Sequence, residues 1–144
     1  MMYMFLKGIF SYRAMRLLPV LFTFFVALGL VCCSEKDPSE VAGKTAKQYY
    51  DYLLEGKYDA WVDGHYYSDS VSDEYREQLI VNAKMFMLQQ KREHQGIREV
   101  RVANCKADTV QHTANVFMVF VYGDSTNEET LVPMVEHKGL WYMR

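Results

Sequence analysis

The sequence predicts an α+β domain in which three N-terminal helices pack on a four-stranded antiparallel sheet. Two observations carry this. Between residues 38 and 95 the apolar residues recur at three- and four-residue spacing, as on one face of a helix; from Ile97 onward they alternate, as in half-buried strands. Glycines 56, 64, 96, 123 and 139 cut both halves into short elements with short connections. Runs of helix followed by runs of strand are the pattern of helices gathered on one sheet face.

Asp37-Pro38-Ser39-Glu40 reads as a helix start, with Asp as N-cap, Pro in the first helical position and Glu in the third. Val41, Thr45, Tyr49, Tyr52 and Leu53 then share a face, and Gly56 stops the helix. Gly43 weakens its first turns. Residues 57–65 suit a short second helix with Tyr58, Trp61 and Val62 inward, ended by Gly64; residues 66–70 read as a loop. Ser72 opens the longest helix, with a stripe of Tyr75, Leu79, Ala83, Phe86 and Met87 broadened by Ile80 and Met85, and Gly96 closes it.

Ile97–Cys105 is the first strand, and Lys106-Ala107-Asp108 turns the chain. Val110–Tyr122 is the longest strand. One face carries His112, Ala114, Val116, Met118 and Phe120, the other Phe117, Val119 and Val121, so its second half is expected to be buried on both sides. Gly123-Asp124-Ser125-Thr126 is a turn. Glu128–His137 is the next strand, with Pro133 needing an edge or a bulge. Leu140–Met143 ends the meander, where Trp141 is expected to pack over the open edge of the helix layer.

Before this domain lies a segment of another kind. The first thirty-two residues hold Lys7, Arg13 and Arg16 and no acid, and Leu17–Val31 is almost wholly apolar. A basic region, a short apolar region and a cleavage site make a secretory signal. Fifteen residues of helix span only about 22 Å, short of the roughly 30 Å of a hydrocarbon core, which argues against a permanent span. Met15 would serve as an alternative start. Leu30-Val31-Cys32-Cys33 resembles the lipobox of bacterial lipoproteins, with Cys33 as the lipidated residue and Leu30 three positions before it; Cys32 is the alternative. Residues 1–32 are then the signal, 33–38 a polar tether and 39–144 the domain. Ser34-Glu35-Lys36-Asp37 partly resembles a surface-export signal, leaving the periplasmic and the surface face of an outer membrane equally open.

The 112 residues from Cys33 onward carry 13 basic and 18 acidic side chains, a net charge of −5. That balance argues against nucleic acid, which requires concentrated positive charge. With Cys33 lipidated, Cys105 is the only other thiol and reads as a small strand residue. No Cys or His pair has zinc spacing and no cofactor loop stands in the sequence, so neither metal nor cofactor is expected.

The order of elements resembles the nuclear transport factor 2-like superfamily, a cone made by a curved sheet wrapped around a long helix. Within it, the nearer resemblance is to small envelope lipoproteins of unknown function. The landmarks are Pro38-Ser39-Glu40-Val41 opening a helix that ends Leu54-Glu55-Gly56-Lys57-Tyr58, the strand ending Tyr122-Gly123-Asp124, and Val132-Pro133-Met134-Val135 followed by Lys138-Gly139-Leu140-Trp141-Tyr142. The resemblance implies a fold and an address, not an activity. Enzymes on such a cone place Asp or His with Tyr inside the pocket, which makes Asp63, His65, Tyr66, Tyr67 and His112 the candidate binding residues here. Two functions follow: a non-catalytic accessory module holding a small apolar ligand or an envelope protein, or a small lyase or isomerase using an Asp/His/Tyr set. Convergence of two titratable groups on one apolar cavity separates them.

Overall fold

The structure, a computed structural model, describes residues 36–144; the signal, Cys32 and Cys33 lie outside the described residues. Helices α1 (Pro38–Leu54), α2 (Tyr58–Asp63) and α3 (Asp73–His94) precede strands β1 (Ile97–Asp108), β2 (Thr113–Tyr122), β3 (Asn127–His137) and β4 (Leu140–Met143). The strands form one antiparallel sheet in sequence order. This is the predicted α+β architecture.

Helix α1 starts as its sequence dictates. The Asp37 carboxylate accepts from Ser39 N at 2.9 Å, and Pro38 fills the first turn, where no N–H partner is needed. Its end is a Schellman closure: Gly56 sits at φ 75°, and Lys57 N donates to Tyr52 O. The buried face differs from the expected one. Ala42 and Ala46 are fully covered and Gly43 is buried, whereas Val41, Thr45 and Tyr52 are half-buried. Small residues let the helix axis approach the sheet. A Cβ on Gly43 would lie 3.4 Å from Cys105 Cβ, so the glycine that weakens the helix also permits its seating. Burial against this helix pushes the Cys105 thiol ionisation up.

The opposing face is supplied by alternate residues: Val100 on β1; Ala114, Val116, Met118, Phe120 and Tyr122 on β2; Val132 and Met134 on β3; Trp141 and Met143 on β4. β1 carries register shifts at Ile97/Glu99 and Val102/Asn104. After the second shift Cys105 and Ala107, rather than Asn104, join Val100 and Val102 against the core. Such irregularities bend a strand and raise its twist, curving the sheet around α1.

Several sequence-based expectations are corrected. β1 runs on to Asp108, and the turn falls at residues 109–112 instead of 106–108. The cause is local: Asp108 Oδ1 accepts from Val110 N and Gln111 N, both at 2.9 Å, and so caps the turn. His112 therefore lies in that turn, with φ 53°, and not on the inward face of β2. The second half of β2 is fully covered on one side only: on the other, Phe117 is 44% exposed and Val119 and Val121 are half-buried. In α3 only Ile80, Ala83 and Gln90 are buried; Tyr75 and Met85 face water. Pro133 is not on an edge strand: β3 lies between β2 and β4, and Pro133 faces Asn115 of β2. On the other side its carbonyl accepts from Arg144 N at 2.9 Å, one residue beyond β4, so its missing N–H falls at the very end of the β3–β4 ladder.

Helix α3 is fastened to the sheet at its C-terminal end. Gln95 and Gly96 turn the chain at positive φ, Gly123 N donates to Gly96 O at 2.8 Å and Asp124 N to His94 O at 3.1 Å. The chain is also closed from the far side. Met143 N donates to Gly64 O at 2.8 Å, Tyr66 N to Met143 O at 2.7 Å, and the Tyr49 hydroxyl to Trp141 O at 3.0 Å.

Candidate functional site

Helix α3 is held at its end and rests on α2, which leaves a cavity of about 480 Å³ between the helices and the concave sheet. Tyr50 and Leu53 of α1, Trp61 of α2 and Leu79, Ala83 and Phe86 of α3 form most of its helical wall; Phe120, Tyr122 and Thr130 come from the sheet. Each is there for a periodic reason: Leu79, Ala83 and Phe86 follow helical spacing, and Phe120 and Tyr122 are alternate residues of one strand.

The polar groups are few. Tyr122 donates its hydroxyl to Glu128 Oε2 at 2.6 Å, and Glu128 is exposed at the cavity margin. Burial, and secondarily the Glu128 carboxylate, raise the Tyr122 ionisation well above the usual phenol range, so Tyr122 is a neutral donor at neutral pH. Burial also raises the Tyr50 phenol. Gln90 is the buried polar residue of the wall. Trp61 Nε1 is buried without an acceptor among the described residues, an expensive condition for an indole N–H. Behind Tyr122 the His94 ring stacks at a 4.4 Å centroid distance, and its Nδ1 lies 3.1 Å from Asp124 Oδ2. Asp124 also accepts from the Thr126 hydroxyl and backbone N–H; these hydrogen bonds, and then His94, hold its carboxyl below the usual range.

The five residues singled out from the sequence do not meet in this cavity, and none of them lines it. Asp63 forms a forked pair with Arg76, its Oδ1 2.9 Å and its Oδ2 3.0 Å from Nη2, tying α2 to α3 on the surface. His65 packs edge-on against Trp61 at 4.5 Å, with its Nδ1–H on Trp61 O. Tyr66 lies beside His137 and Tyr142 on the β3–β4 margin. Tyr67 lies 6.4 Å from the His65 ring. His112 pairs with Glu136 at 2.9 Å at the other end of the sheet. Reasoning from neighbours in sequence missed Tyr122, Glu128, Gln90 and Trp61. The signal for Tyr122 was its place at the end of the inward-facing series of β2; Glu128 offered none, since it stands in an acidic Asn127-Glu128-Glu129 run. Among the described residues no group of three His, Cys, Asp or Glu side chains could hold a metal ion.

His65 has a measurable role all the same. Burial lowers its pKa from the ordinary 6.5. The folded state therefore binds fewer protons than the unfolded state below that value. Stability is full above about pH 6.5 and declines as pH falls through the folded pKa. His65→Asn should flatten the fall in melting temperature as the pH drops below about 6.5; an unchanged profile would place the acid sensitivity elsewhere.

No protein-family model and no curated protein matches the chain. Solved structures do. A crystal structure from Campylobacter jejuni, described as that of a candidate NTF2-like transpeptidase, superposes with a TM-score of 0.57 over 69% of this chain and 94% of its own, at 14% identity. The fold is nuclear transport factor 2-like. At that identity the likeness shows the fold of the nuclear transport factor 2-like domain and nothing of its chemistry. The solution structure of a SEC-C motif containing protein from Rhodopseudomonas palustris aligns more loosely, with a TM-score of 0.43 and 16% identity over 78% of this chain and 92% of its own.

Proposed function

We propose that the chain is a lipid-anchored protein of the bacterial cell envelope whose nuclear transport factor 2-like domain is a non-catalytic accessory module binding a small, largely apolar ligand. The observation that carries the binding role is the cavity itself, with about 480 Å³ walled by aromatic and aliphatic side chains and edged by a few polar groups. That size and lining suit a small-molecule site. Leu30–Cys33 supports the address, with Cys33 as acyl acceptor. Several acyl chains, at about 0.8 kcal/mol per buried methylene, anchor durably where one does not. The Asp/His/Tyr set of the lyase or isomerase alternative draws no support, because Asp63, His65, Tyr66, Tyr67 and His112 share no cavity; the titratable pair that does meet there is Tyr122 with Glu128.

Native mass spectrometry of the chain purified from membranes tests both halves. Acyl chains are expected on Cys33, together with a co-purifying small molecule. Ala83→Phe, which fills the cavity from a buried position on α3, should keep the acyl chains and lose the small molecule. A chain without acyl mass would remove the address. A ligand retained in a folded Ala83→Phe variant would remove the cavity.

A further inference from the structure

Resting on the reading of this cavity as a ligand site, we propose that its ligand is an organic cation: an amine or quaternary ammonium group carried on an apolar body. Five aromatic rings line the cavity, those of Tyr50, Trp61, Phe86, Phe120 and Tyr122. Aromatic faces carry negative electrostatic potential and attract cations, most strongly where water is excluded. Among the described residues Glu128 is the one charged side chain of the lining, and no Lys, Arg or His is part of it.

The surroundings keep that sign. Tyr122 stays protonated and gives its hydrogen to Glu128, so the pair carries one negative charge, on the carboxylate. His94, stacked on Tyr122, lies against the Asp124 carboxylate, so no unpaired cation stands behind the ring. An anionic ligand would meet Glu128 with no cationic side chain in the wall to offset it. A neutral ligand would use the rings but not the carboxylate. A cation uses both, its charge at the Glu128 margin and its body against Phe86 and Phe120.

Three benzyl probes of different charge test this: benzyltrimethylammonium, benzyl alcohol and phenylacetate. They are titrated calorimetrically into the full chain in lipid nanodiscs, with empty nanodiscs as the blank. Benzyltrimethylammonium is expected to bind at least about tenfold more tightly than benzyl alcohol, the ratio that about 1.4 kcal/mol of cation–π and ionic attraction gives. Phenylacetate should bind most weakly. Glu128→Gln, and independently Tyr50→Leu, should each reduce the preference for the ammonium over the alcohol. Equal binding of the ammonium and the alcohol, or tighter binding of phenylacetate, would overturn the cation assignment while leaving the cavity a ligand site. Binding of none of the three, by a chain that melts cooperatively, would overturn the cavity reading together with this one.

Discussion

Trp141→Ala should destabilise the domain by about 3–5 kcal/mol, the usual cost of emptying a buried indole site. Trp141 is 6% exposed and sits in the core among the inward residues of all four strands. Its backbone carbonyl also receives the Tyr49 hydroxyl from α1, so a shift of β4 into the vacated space would disturb the helix as well. Against a typical total of about 5–15 kcal/mol for a domain, the loss is large. It would appear in urea titration as a fall in midpoint with little change in slope. A midpoint within experimental error of the parent would mean that the indole does not close the core.

Gly64→Ala should cost about 1–3 kcal/mol although it adds one methyl group, and for a reason unrelated to helix propensity. Gly64 has ordinary right-handed backbone angles. Any residue could adopt them. What excludes a side chain is the Tyr49 ring, whose Cδ1 would lie 2.5 Å from the new Cβ. Overpacking of this kind forces off-rotamer side chains and backbone shifts. The ring cannot swing away freely, because its hydroxyl is tied to Trp141 O. In a Tyr49→Ala background the same substitution should become much cheaper, giving a coupling energy of about 1 kcal/mol or more in a double-mutant cycle. Additive losses would show that the clash is relieved in some other way.

The elements themselves were legible because each is announced locally. Asp37-Pro38 caps α1, Ser72 caps α3, and Gly96 and Gly139 stand at positive φ where helix or strand must turn. Local signals failed where a tertiary partner decides. The buried face of α1 follows Ala42 and Ala46, because close approach to a curved sheet selects small residues over the larger Val41 and Tyr52. The Asp108 side chain moved a turn by several residues, and with it His112. The cavity was the least legible part. It is assembled from α1, α2, α3, β2 and β3, and Tyr122 meets Glu128 only because the β2–β3 hairpin brings them to 2.6 Å. Of the candidate residues chosen for proximity along the chain, Asp63 instead fastens α2 to α3 and Tyr66 fastens the following segment to β4.

The closure through residues 141–143 also dictates an order in time. Every strand pairs with its neighbour in sequence, so the meander can zip up from short loops, which favours speed. The helical half has no such independence. Its inward residues are covered by strands made later, and its last two fastenings, Tyr49 to Trp141 and Gly64 to Met143, wait for the end of β4. A ribosome releases the chain from the N-terminus, and so would a translocation channel following a signal at residues 1–32. α1 and α2 therefore emerge with Leu53, Trp61 and Val62 uncovered, and remain unfastened to the sheet's last strand until β4 arrives. For that interval the nascent chain is a sticky amphipathic hairpin, and it is the stage at which a chaperone, or a second nascent copy, has its opportunity.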